Sequence, residues 1–272
     1  MGFGGFFNYD KPGPGIKKDG PQKKTFFVFF ETWFRNLWKL CSVSIIYSIL
    51  TILMIPSGLG AVGITNVARN LARDKHSFGI SDFAETIKKN WKQALPAGII
   101  NLVIDLINGF AIYFYLFGND FLTIIGFGIS VAIFILFRFM KYHIWLLLIT
   151  FRLPLKKMYK NCFLFAFVNW KANIIIGLTE LLIAAVCVGM FFIPYYIAWV
   201  VSLLLATMVF PGFIHLLTQM LIFPKVKELM IDPYYEEHPD EDIELRKNLG
   251  LEVEEDEEES VFEDKHIEEK SE

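Results

Sequence analysis

Apolar runs of about twenty residues recur along this chain, and a run of that length is what crosses the hydrocarbon core of a bilayer as a helix. They are spread from near residue 37 to near residue 223. The expectation is therefore one all-α, multi-pass membrane helical bundle, and an anchored soluble domain is disfavoured. Of 272 residues, 54% are hydrophobic and 28 are Phe, well above a soluble composition. The net charge of −3 conceals an asymmetry. From Asp232 to Glu272 there are 19 acidic and 4 basic residues, and the preceding part has 10 acidic and 22 basic. A basic membrane domain over 1–231 thus precedes an acidic cytoplasmic tail over 232–272, whose composition predicts disorder.

The spacing predicts about six transmembrane helices as three hairpins. The first pairs Leu37–Ile55 with Ala61–Arg73, turning at Pro56–Gly60. The second pairs Ala94–Phe117 with Phe121–Phe151, turning at Gly118–Asp120, and the third pairs Asn173–Ile193 with Tyr195–Phe223, turning near Pro194. Lys and Arg sit in the N-terminal segment, in 69–92, in 152–171 and at Lys225 and Lys227, and are absent from the proposed outer turns. Cytoplasmic loops are enriched in Lys and Arg. Six crossings put every basic segment on one side, with both termini cytoplasmic in the cell membrane, whereas five would split them. Arg138 and Lys141 interrupt the fourth span. Either they snorkel to the inner interface, with the helix continuing beyond it, or the span is strongly tilted.

"NWK" occurs at Asn90–Lys92 and Asn169–Lys171, with a looser relative, "NLWK", at Asn36–Lys39. Each follows an amphipathic stretch that reads as an interfacial helix. Tryptophan favours the headgroup level, and the adjacent lysine favours anionic phosphates. Trp38, Lys39, Trp91, Lys92, Trp170 and Lys171 are therefore expected to anchor three repeated units in the lipid bilayer.

Ionisable residues inside a span are costly and face the bundle interior or a cavity. Asp105 falls near mid-span, with Asn101 and Asn108 on the same helix face, and Glu180 and His215 fall on consecutive antiparallel spans. Asn101, Asp105, Asn108, Glu180 and His215 are the candidate intramembrane polar site, either as interhelical packing contacts or as a solute path, and a Glu180–His215 contact is expected. "GLGAVG" at Gly58–Gly63 matches a dinucleotide fingerprint only as a string, because no strand precedes it. Helix packing and turn geometry account for its glycines. The histidines have no metal spacing, the three cysteines have no C-x-x-C, and no catalytic constellation stands out. No catalytic residue, cofactor, metal or nucleic-acid partner is expected.

The segment "GFFNYDKPGPGIKKDGPQKK" (Gly5–Lys24), with "FFETWFRNLWKL" and "DFAETIKKNWKQAL", resembles the YesL-like family of Gram-positive integral membrane proteins, a domain family of unknown function. The resemblance covers about residues 3–230. It implies a small multi-pass protein encoded beside sugar-uptake transporters, hence an accessory or assembly component of a carbohydrate uptake system, partnered by components of a sugar ABC transporter. It carries over no site residues. The intramembrane polar residues raise a different expectation, a membrane transporter or channel for a small solute.

Overall fold

The computed structural model describes residues 25–118, 120–151 and 153–237. The N-terminal motif at Gly5–Lys24, Asn119 of the second turn and the tail from 238 onward lie outside the described residues. The chain separates into two compact units, Met1–Phe223 and Pro224–Glu272. Every regular element among the described residues is helical. They are α1 Thr25–Arg35, α2 Leu37–Ile52, α3 Ser57–Ala72, α4 Ile80–Leu116, α5 Phe121–Thr150, α6 Leu155–Val168, α7 Trp170–Phe191, α8 Tyr196–Leu204, α9 Phe210–Val226 and α10 Asp232–Glu237. A π-helical stretch, Leu205–Val209, joins α8 to α9, and a second, Lys227–Ile231, precedes α10. The opening residues of the acidic segment are therefore helical. Within the second unit, Lys225 and Glu228 form an ion pair at 2.7 Å.

Four helical runs are long and apolar enough to cross a membrane: Ile80–Leu116, Phe121–Thr150, Trp170–Phe191 and Tyr196–Tyr234. Their outward faces are densely apolar. Leu106, Ile107, Phe110 and Phe114 on α4 and Leu178, Leu181 and Leu182 on α7 are all at least 60% exposed. An apolar surface of this extent is incompatible with water and suits lipid. The four runs suggest a membrane protein built as a helical bundle. The first pair differs: α2 and α3 have 16 residues each. At 1.5 Å per residue each spans about 24 Å, short of a hydrocarbon core of about 30 Å.

The first turn is also displaced. A turn was expected at Pro56–Gly60, but α3 already begins at Ser57, and the reversal occupies Leu53–Pro56 with Met54 at φ +60°. The glycines lie inside the helix because each lets a neighbour approach closely. A Cβ on Gly58 would stand 2.3 Å from Ala94 O and 2.8 Å from Gly98 Cα, so α3 and α4 cross backbone to backbone. A Cβ on Gly63 would meet the Phe83 ring at 2.6 Å. Small residues at such crossings are the usual means of membrane helix association, where no hydrophobic drive separates helix from lipid. Accordingly α3 is buried along most of its length, and Ile64, Val67 and Leu71 pack with Leu40, Val43, Phe83 and Leu216.

The three amphipathic stretches are helical, in α1, in the start of α4 and in α6. Helix α1 packs Phe29 and Phe30 against Phe213, with Trp33 at 5.5 Å from the same ring. Asn36 breaks α1 from α2, and Asn169 breaks α6 from α7. The middle copy has no break: Asn90 lies within α4, and its amide donates to Thr86 O as that of Asn36 donates to Thr32 O.

The Gly58–Gly98 crossing predicts that Gly58→Ala lowers stability by about 1–3 kcal/mol through overpacking. Gly109→Ala and Gly189→Ala, where a Cβ meets nothing within 4 Å, should leave it unchanged. Thermal unfolding of the detergent-solubilised chain checks this, and equal midpoints for all three would contradict the crossing.

Candidate functional site: a charged core between two cavities

Helix α5 carries the centre of the site. Arg138, Lys141 and Tyr142 follow the i, i+3, i+4 spacing that puts side chains on one helix face. Lys141 Nζ donates to Asp105 Oδ2 of α4 at 2.6 Å. Arg138 donates to Glu180 Oε2 of α7 through Nε at 3.0 Å, with a second nitrogen at 2.9 Å. The Tyr142 hydroxyl donates to the same oxygen at 2.6 Å. Two carboxylates thus meet two cations, and the cluster is electrically balanced. Leaving any one member unpaired in a low-dielectric interior would be costly, which explains why the pairs are mutually enforced.

Asp105 is fourteen residues beyond Trp91, about 21 Å along an ideal helix, and Glu180 is ten residues beyond Trp170, about 15 Å. Arg138 and Lys141, for which snorkelling and a tilted span were the alternatives, pair with Glu180 and Asp105, and α5 runs unbroken through both.

Two cavities flank the cluster. One, of about 110 Å³, is bordered by Thr65, Glu180, His215, Thr218 and Gln219. The other, of about 280 Å³, is bordered by Thr51, Ser57, Gly98, Asn101 and Asp105. Tyr47, Lys141 and Trp145 border both. Gln219, which borders the first, and Asn101, which borders the second, each have a fully buried amide atom, Oε1 and Nδ2 respectively, without a hydrogen-bond partner among the described residues. Asn101 is held in place because its Oδ1 accepts from the Tyr159 hydroxyl at 3.0 Å. A buried polar atom left unpaired costs about 1–3 kcal/mol.

The five expected residues are thus distributed. Asn101 and Asp105 face the larger cavity, and Glu180 and His215 face the smaller one. Glu180 bonds Arg138 and Tyr142 where a contact with His215 was expected. His215 lies 3.4 Å from the Thr65 hydroxyl and stacks edge-on to Tyr47. Asn108 is buried, donates to Ile104 O of its own helix at 3.0 Å and borders neither cavity. The residues missing from the expected set are Arg138, Lys141 and Tyr142, whose shared-face spacing was legible in the sequence. Among the described residues no three His, Cys, Asp or Glu side chains converge as a metal site.

At the two NWK copies, Lys92 Nζ lies 5.9 Å from the Trp91 ring centre and Lys171 Nζ 5.8 Å from that of Trp170, matching cation–π pairs. Trp38 is 82% exposed, and Lys39 borders a separate basic cavity.

The ion pairs predict non-additive substitutions. Asp105→Asn and Lys141→Met should each destabilise the protein by about 3–5 kcal/mol, and the double variant by clearly less than their sum. A double-mutant cycle on denaturant unfolding measures this, and simple additivity would contradict the pair.

No family model matches the chain, and no curated protein or solved structure matches it. The YesL-like resemblance therefore rests on the quoted motifs alone.

Proposed function

We propose that this chain is a multi-pass transporter or channel that carries a small polar solute through the charged core of its bundle. The observation supporting this reading is the pair of cavities that share Tyr47, Lys141 and Trp145 and adjoin Asp105 on one side and Arg138 and Glu180 on the other. A core that served only to hold helices together would be expected to close over its polar groups, as dense packing and hydrogen-bond satisfaction favour. Here open space adjoins the charges. In this reading Asp105 and Glu180 fix the two cations of α5 in place. The tyrosine, threonine and amide groups offer neutral hydrogen bonds to a passing solute. An accessory role in carbohydrate uptake rests on the resemblance alone.

In the same reading the chain crosses the cell membrane six times, with both termini cytoplasmic. Helices α2 and α3 cross as a pair, and their short helices are supplemented by the apolar Leu53–Ile55, which are at least 57% exposed. The distribution of Lys and Arg supports this orientation.

Two measurements test the proposal. In proteoliposomes, stopped-flow light scattering after an osmotic step with urea, small polyols or small amino acids should show faster equilibration than protein-free vesicles for at least one solute. The Asp105→Asn variant should slow that flux about fivefold or more. Rates equal to those of protein-free vesicles for the whole panel would sink the reading. For topology, a single cysteine at Ile55, in a background lacking Cys41, Cys162 and Cys187, should react with an impermeant maleimide from outside intact cells. Gly58 is unsuitable as a probe because it is buried. Reaction at Ile55 only after permeabilisation would contradict the six-crossing arrangement.

A further inference from the structure

The formal charges that border the two cavities of the core sum to zero. Asp105 and Lys141 border the larger cavity, and Arg138, Lys141 and Glu180 border the smaller. Taken together these are two carboxylates and two cations. Each is also cancelled at contact distance, Lys141 on Asp105 at 2.6 Å and Arg138 on Glu180 at 2.9 Å. An ion leaving water for this interior would lose its hydration and meet no unmatched charge among these four. Its desolvation cost would therefore stand.

The backbone beside these groups offers an ion no substitute. Ion-selective paths replace the hydration shell with rings of carbonyls or of charged side chains. Transporter helices that hold ions are interrupted at the site. Here α4 is helical through Asp105, α5 through Arg138 and Lys141, and α7 through Glu180. Their carbonyls are engaged along the helices. The groups left to receive a guest are neutral: the hydroxyls of Tyr47, Thr51 and Ser57 at the larger cavity, and those of Thr65 and Thr218 at the smaller. A zwitterion gains little more than an ion, because each of its charges would have to displace a partner already in place.

Size is restricted as well. The smaller cavity holds about 110 Å³, roughly three to four times the share of one water molecule in the liquid. A solute moving from one cavity to the other passes the side chains they share, Tyr47, Lys141 and Trp145. Lys141 is held by Asp105, and Tyr47 is braced by the His215 ring, with centres 5.1 Å apart. We infer that the path admits solutes without formal charge, of the size of urea or glycerol, and that Tyr47 and Trp145 set the size limit. This rests on the permeation reading and narrows it to one chemical class.

The test uses the full chain in proteoliposomes at pH 8, above the ordinary imidazole range, so that His215 adds no charge. Urea, glycerol, sorbitol and glycine are followed by light scattering after an osmotic step. Chloride and potassium are followed by entrapped ion-sensitive dyes, with a protonophore to dissipate the potential. The wild type should pass urea or glycerol faster than protein-free vesicles do, and sorbitol, glycine and both ions at the protein-free rate. Faster movement of sorbitol, glycine or either ion would overturn this inference and leave permeation itself in place. Protein-free rates throughout would remove the permeation reading, and this inference with it. Variants add the sign of the charge. Asp105→Asn should raise chloride flux about tenfold over wild type, and Lys141→Gln should raise potassium flux by a similar factor. D105N/K141Q, balanced again, should pass neither ion. The same ion rising in both single variants, or neither ion rising in either, would overturn the charge account. Trp145→Ala should raise the sorbitol rate about tenfold, and a rate equal to that of the wild type would overturn the size limit. Where a single variant fails to reconstitute, the wild-type ion and glycine rates decide.

Discussion

The cost of a lone charge in a low-dielectric interior is the constraint around which this bundle is organised. Four ionisable groups, Asp105, Arg138, Lys141 and Glu180, lie deep along their helices, and each has an opposite partner within 3.0 Å. The pairing dictates which helices must be neighbours. Helix α5 supplies both cations from one face and thereby holds α4 on one side and α7 on the other. Lipid gives helices little reason to associate, so polar contacts of this kind carry more of the specificity of packing than they would in water. The cluster therefore acts both as an organising contact and as the boundary of the two cavities.

A second constraint is the space between backbones. Gly58 and Gly98 allow α3 and α4 to cross with no side chain between them, and a Cβ on Gly212 of α9 would stand 2.9 Å from the Ser44 hydroxyl of α2. Open volume remains where polar side chains converge, beside Tyr47, Lys141 and Trp145. The contrast between tight small-residue contacts and open volume beside the charges is what the proposed permeation role rests on.

Much of the architecture is legible in the sequence because lipid imposes simple rules. Run length marks the four long apolar runs, which comprise α4, α5, α7 and the run opening with α8. The recurrence of tryptophan beside lysine reappears as matching geometry, Lys92 on Trp91 and Lys171 on Trp170. The start of α3 was not legible, since a glycine that opens a turn and a glycine that admits a neighbouring helix look alike in one chain. The partners of Asp105 and Glu180 were hidden for another reason: they lie 36 and 42 residues away, and such pairing is fixed by tertiary structure. The face shared by Arg138, Lys141 and Tyr142 was a local signal. A helix carrying two cations at i and i+3 amid apolar neighbours requires carboxylates on the helices beside it. Asn108 shows the opposite error, since its backbone neighbour Ile104 satisfies it without any interhelical contact.

The central claim is that Lys141 and Asp105 form a direct ion pair within the membrane-embedded bundle. Solid-state nuclear magnetic resonance on the chain in lipid bilayers, with ¹⁵N-labelled lysine and ¹³C-labelled aspartate, measures it most directly. The account predicts a strong dipolar coupling between Lys141 Nζ and Asp105 Cγ, abolished in Asp105→Asn by the loss of the labelled aspartate. Absence of that coupling in the wild type, with the protein folded and the two sites resolved, would contradict it.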